Sequence, residues 1–215
     1  GQVFFQKASE EKNRTGSVKT VVREVHQRLV SIGIFPILVL MIIGGELFAL
    51  VLGAEWATAG EYARILAPWL LLVFIASPLS TIFSVLERQT VDFAFNLLIL
   101  FSRVAVLYVG GVYGNPIVTL ALFSLTGVVF WGWMNLYILN ISGVAYRTAL
   151  EDLLKFSLVA LAAASPLIIV KYLSLPLYIL LITAGIVTCI YYAVVFLRDP
   201  ILKKEFKGIL QEVRL

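Results

Sequence analysis

Apolar positions in this chain run on without interruption instead of recurring as narrow stripes. Uncharged runs occupy residues 29–45, 65–86, 104–146, 156–170 and 172–197, too long and too many for the core helices of a water-soluble domain. The longest is broken by GGVYGNP at 110–116, where glycine and proline make a turn, so it reads as two spans joined by a tight hairpin. A hydrocarbon layer about 30 Å thick needs roughly 20 apolar helical residues. Six spans follow, at 29–52, 65–86, 93–112, 117–139, 153–172 and 177–197. The predicted fold class is all-α: a polytopic membrane helical bundle of six transmembrane helices, with an amphipathic cytoplasmic helix at each end.

Both ends depart from the apolar pattern. Residues 1–6, GQVFFQ, read as the end of a preceding helix, and the segment to residue 28 turns basic with Lys7, Lys12, Arg14, Lys19, Arg23 and Arg28. Within it Val18, Val21, Val22, Val25 and Leu29 recur at helical spacing, which predicts an interfacial helix, with His26 at its surface. The tail, 198–215, places Leu202, Phe206, Ile209 and Val213 on one stripe and Lys203, Lys204, Lys207 and Arg214 elsewhere, a second interfacial helix by the same argument. Between them, 29–139 is expected to form a four-helix unit and 140–197 an appended helix pair. With no initiator Met and no leader-like segment, Gly1 is expected to be an internal start.

Several residues mark contacts or breaks inside the spans. Pro36 predicts a kink, and Gly44 with Gly45 allows a close helix approach. Ala160, Ala163 and Ala164 form a small-residue face, and Trp56 and Tyr62 suit the interfacial belt. Glu46 reads either as a cavity residue or as an interfacial acid at a helix end. The second span carries Ser77, Ser80, Thr81, Ser84 and Arg88 at i, i+3, i+4, i+7 and i+11, one polar stripe on an apolar helix. The third carries Asp92, Asn96 and Arg103 at i, i+4 and i+11. The connection ERQT is short, so these spans are expected to lie side by side, their stripes walling a hydrated cleft.

Composition confirms the class and narrows the chemistry. The chain is 60% hydrophobic and 14% charged, with mean hydropathy +0.96, outside the range of soluble domains. Of the 17 Lys and Arg residues, all but Arg64, Lys171 and Arg103 fall on the two ends or on the connections at 87–92 and 140–155. By the positive-inside rule those flanks face the cytoplasm. The same bias accounts for the net charge of +4 without a nucleic-acid partner. One His, His26, and one Cys, Cys189, leave no metal-ligand set, and no nucleotide loop or nucleophile–base pair occurs. No cofactor, metal or enzymatic activity is expected. A membrane enzyme of polysaccharide assembly would need a large polar extracytoplasmic loop, and the longest connection on that side is 53–64.

Arg103 is the residue that most needs explaining. A cation at mid-span costs about 3 kcal/mol on insertion scales. Asp92 lies roughly 16 Å away along the helix and cannot pair with it. Two readings stay open: a carboxylate or carbonyl of a neighbouring helix, or an anionic substrate. Arginine stays charged when desolvated and binds phosphate oxygens through a planar fork, so a lipid-linked pyrophosphate is the type of ligand such a site suits.

The segment GQVFFQKASE, the basic stretch after it, and LFALVLGAEWATAGEYARILAPWLLLVFIASPLSTIFSVLERQ at 47–89 together resemble the C-terminal half of bacterial polysaccharide exporters. These are the O-antigen and related oligosaccharide flippases of the multidrug/oligosaccharidyl-lipid/polysaccharide superfamily. The likeness covers residues 1–112 best, around Gly53, Glu55, Trp56, Ala59, Gly60 and SPLS at 77–80; later spans match only in hydropathy and spacing. The resemblance implies two pseudosymmetric bundles about a cationic cavity, which move undecaprenyl-pyrophosphate-linked oligosaccharide across the bacterial inner membrane by alternating access without ATP hydrolysis. It further implies that an N-terminal bundle is missing as a partner. The expected binding residues are Arg103 at the pyrophosphate, with Arg88, Asn96, Ser77, Ser80, Thr81 and Ser84 at the cytoplasmic entrance. A multidrug or lipid II exporter on the same scaffold, and a non-catalytic subunit completed by a partner chain, are the alternatives.

Overall fold

The computed structural model describes residues 2–198, and the predicted tail helix therefore lies outside the described residues. The elements are α1 (Gln2–Thr15), α2 (Lys19–Leu52), a short 3-10 turn (Ala54–Trp56), α3 (Ala57–Leu79), α4 (Ile82–Val85), α5 (Gln89–Tyr113), α6 (Pro116–Ile141), α7 (Tyr146–Tyr172) and α8 (Leu177–Arg198). No strand occurs among the described residues. Six of these segments are long and apolar enough to cross a membrane, with α3 and α4 counting as one. The protein is an all-α helical bundle of the multi-pass membrane type.

Two of the turns have an identifiable cause. Gly114, with φ 64°, closes α5 in the left-handed region, and the Asn115 side chain accepts hydrogen bonds from the Ile117 and Val118 amides while Pro116 opens α6. That is a glycine C-cap followed by an Asn N-cap and a first-turn proline. Between α4 and α5 the left-handed residue is Glu87, φ 56°, and the Arg88 amide reaches back to the Phe83 carbonyl at 2.7 Å. Lys12 of α1 donates to the Val85 carbonyl at 2.6 Å, which ties α1 to this turn.

α2 is the helix around which the others gather, packing against α3, α7, α8 and α1. Its tightest approach is to α3. A Cβ on Gly60 would meet backbone atoms of Gly44 and Gly45, the Gly44 carbonyl carbon at 2.7 Å, so the glycine pair does permit close contact, with Gly60 as its counterpart. Helix association in lipid depends on such close packing because no hydrophobic gain separates helix from lipid. On the other side Ala160 and Ala164 of α7 are fully buried with Ile34, Phe35, Val187 and Tyr191.

Four details differ from the sequence expectation. Inside α2 the non-helical residue is Ile43, φ −124° and ψ 25°, and not Pro36, because the break sits where two successive glycines weaken the helix. The carbonyls just before it have side-chain donors: Arg64 Nε gives a 2.8 Å hydrogen bond to Met41 O, and Lys171 Nζ donates to Ile42 O. Lys171 also pairs with Glu46 at 2.8 Å, so this acid joins α2 to α7. Second, the basic segment is not one interfacial helix. It divides at Gly16–Ser17, and its second half runs unbroken into the first span. Third, His26 is buried, because Val22, His26 and Val30 form the inward stripe of α2. Fourth, α5 packs along α6, and α6 along α3, so the second and third spans meet at α4 and not along their whole length.

Gly60→Ala is expected to lower stability in detergent by about 1–3 kcal/mol through overpacking, read by thermal unfolding, while Gly185→Ala, in open space, leaves it unchanged. Equal melting of the two variants would show that the crossing has room to spare. Lys171→Met should destabilise more than Glu46→Gln in the same assay, since it removes the donor from a carbonyl and a carboxylate together.

Candidate functional site

Arg103 lies half-buried on α5, and its side chain crosses the face of α6 to reach α3. The guanidinium sits 3.4 Å from the centre of the Phe123 ring and 4.5 Å from that of Trp69. It also donates to the Phe123 carbonyl. Trp69 and Phe123 meet edge to face at 5.2 Å. Among the described residues no Asp or Glu pairs with Arg103. Of the two readings left open by the sequence, the structure therefore shows a carbonyl neighbour and no carboxylate.

Gly127 of α6 makes this crossing possible. A Cβ there would collide with the Trp69 indole and would stand 2.7 Å from Arg103 Nη2. The glycine is thus the gap through which a cation from α5 meets an aromatic ring from α3. Desolvated cation–π contacts contribute about 2 kcal/mol and a hydrogen bond to a charged donor about 1.5–3. Together they are enough to offset the roughly 3 kcal/mol insertion cost of the arginine. They do not use up its donors. A guanidinium has five N–H groups, and Phe123 O is its one protein acceptor among the described residues. The Trp69 Nε1–H is also buried without an acceptor. The site therefore offers hydrogen-bond donors and a positive charge, with no acid beside them.

The remaining predicted site residues do not converge on Arg103. Asn96 is exposed and donates to the Asp92 carbonyl of its own helix at 2.8 Å. Arg88 is exposed and donates to the Tyr137 hydroxyl at 3.3 Å. Ser80 and Thr81 are half-buried and bond back to the Ser77 and Pro78 carbonyls at 2.9 and 3.1 Å; Ser77 and Ser84 are exposed. At 1.5 Å per residue, Arg88 lies roughly 22 Å and Asn96 roughly 10 Å from Arg103 along α5. The second and third spans do not lie side by side along their length as expected: α6 packs against both α3 and α5, and the two spans meet at α4 and the start of α5.

Trp69, Phe123 and Gly127 are the residues the sequence reasoning missed. None of them carried a signal: Trp69 lies four residues into the predicted span at 65–86, near the end where a tryptophan is ordinary. Compared with known proteins, the chain matches no family model, no curated protein and no solved structure.

Gly127→Ala is expected to melt at lower temperature than the unmodified chain, and Trp69→Ala should remove most of that penalty, because the added methyl then has somewhere to go. A penalty that persists in the double variant would place the collision elsewhere.

Proposed function

We propose that this chain is the C-terminal part of a flippase that moves a lipid-linked oligosaccharide pyrophosphate across a bacterial cytoplasmic membrane by alternating access. Arg103 would meet the pyrophosphate. The observation that carries this reading is the donor-only site at mid-span: a guanidinium with unused N–H groups, an indole N–H without an acceptor beside it, and no paired carboxylate among the described residues. A phosphate oxygen supplies the missing acceptors, and arginine binds it in its charged form.

Two further features support the reading. The first is the family resemblance of residues 1–112. The second is the charge distribution. Arg88, Arg147, Lys155 and Arg198 gather at the bundle end that holds the start of α2 and the turn between α6 and α7, and the positive-inside rule places that end in the cytoplasm. Of the two cations on the other flanks, Arg64 and Lys171 are held by α2 carbonyls and by Glu61 and Glu46, a structural duty that explains the exceptions. Under this reading Arg88 and Asn96 lie on the approach along α5, while the hydroxyls of Ser80 and Thr81 are taken by carbonyls of their own helix.

A second reading, a membrane subunit completed by a partner bundle, is favoured by α5. Its Phe93, Leu97, Leu100, Phe101, Val104 and Tyr108 are exposed over most of the helix, a surface that a second wall would cover as readily as lipid. The two readings are compatible where the partner is the N-terminal bundle of the same transporter. Blue-native migration of the chain, alone and with that bundle, reads this directly.

Arg103→Ala in the complete transporter is expected to abolish translocation of a fluorescent lipid-linked pyrophosphate oligosaccharide in reconstituted vesicles, and Arg103→Lys to retain part of it. Normal translocation by the Ala variant would remove the pyrophosphate role. Thermal unfolding of both variants separates a lost ligand contact from a lost aromatic contact, since Lys keeps the charge over the rings but not the planar fork.

A further inference from the structure

A second polar feature lies at the other flank of α2 and shares no residue with the Arg103 site. A cavity of about 380 Å³ opens between the early turns of α2, the early turns of α7 and the last turns of α8. Each helix contributes one cation to its wall: Arg28, Lys155 and Arg198. Among the described residues Glu24 is the one acid lining it, and Asp152, one turn before Lys155, is engaged by Gln27 at 3.5 Å. The rest of the wall is apolar, with Phe156 and Val159 on α7 and Val194 and Val195 on α8.

Beside the cavity, α8 is tied to α2. Tyr191 donates to the Ser31 carbonyl at 2.7 Å and Tyr192 to the Ile32 carbonyl at 2.9 Å. Phe35 stacks on Tyr191 at 4.3 Å with the rings 12° apart. These contacts hold α8 against α2 immediately below the cations, so the three basic side chains are presented by helices that cannot easily separate.

We propose that this cavity holds the phosphate headgroup of an anionic membrane phospholipid, with an acyl chain along Phe156, Val159, Val194 and Val195. Basic pockets between spanning helices recognise such headgroups, and the wall divides into the two parts such a molecule requires: cations at the bundle end and an apolar strip below them. A free phosphate ion would match the cations and leave the apolar strip without use. The bound lipid would join the α7–α8 pair to α2 on the charged side. This assignment stands apart from the transport reading, because neither the cargo nor Arg103 enters it.

Native mass spectrometry of the intact chain released from membranes of mixed phosphatidylglycerol and phosphatidylcholine tests the proposal. The unmodified chain should retain phosphatidylglycerol in preference to phosphatidylcholine, and the Lys155→Ala/Arg198→Ala double variant should lose that preference by roughly tenfold or more, since each basic residue near a headgroup contributes about 1 kcal/mol. Arg147→Ala, at the same end but paired with Glu151 and outside the cavity, should retain lipid as the unmodified chain does. Equal retention of the two lipids, a double variant that still prefers phosphatidylglycerol, or displacement of the lipid by inorganic phosphate at millimolar concentration would each overturn the assignment. Arg103→Ala should fail in transport while keeping its lipid, so the two proposals fall separately.

Discussion

A helix that breaks inside a membrane must find donors for the carbonyls beside the break, because no water reaches them. In this protein that requirement organises the bundle. α2 departs from helical geometry at Ile43, and the carbonyls of Met41 and Ile42 are taken by Arg64 from α3 and Lys171 from α7. Each cation then brings its own acid, Glu61 or Glu46. Three helices are thereby joined at one level, next to the point where Gly44 and Gly60 bring α2 and α3 into backbone contact. The close approach and the polar ties depend on each other. Short cation-to-carbonyl distances need helices this near, and helices this near need glycine.

Arg103 answers a different problem with a different solution. It has no broken helix to serve and no acid to pair with, and its charge is held by two aromatic faces and one carbonyl. The magnitudes decide what this means. The contacts suffice to keep an arginine at mid-span, so stability alone does not demand a ligand. They leave several donors unused, and the neighbouring Trp69 N–H adds another. Those unused donors are the ones the proposed anionic ligand would take.

The molecule thus has two cationic regions with distinct surroundings. One is a single guanidinium among aromatic rings, facing the α5–α6 side. The other is a three-cation cavity with an apolar strip between α2, α7 and α8. They lie on either flank of the helix pair α2 and α3. The proposed cargo and the proposed lipid would therefore occupy separate sites.

The number of spans, the turns between them and the small-residue faces were legible in the sequence, because hydrocarbon thickness sets the length of an apolar run and Gly, Pro and Asn punctuate it at 110–116. The glycine pair at 44–45 and the alanines at 160 and 164 were likewise legible, since small residues are what let helices meet in lipid. Which helix meets which was not. A spanning helix is apolar toward lipid and toward protein alike, so its pattern carries no face that names a neighbour; α6 could therefore pack against both α3 and α5 although a short connection joins α4 to α5. For the same reason the sequence identified Arg103 as anomalous but could not name Trp69, Phe123 and Gly127 as its surroundings, nor place the break of α2 at Ile43, nor turn His26 inward. Those were decided by tertiary packing, where close contact, rather than the hydrophobic effect, selects among arrangements of equal hydropathy.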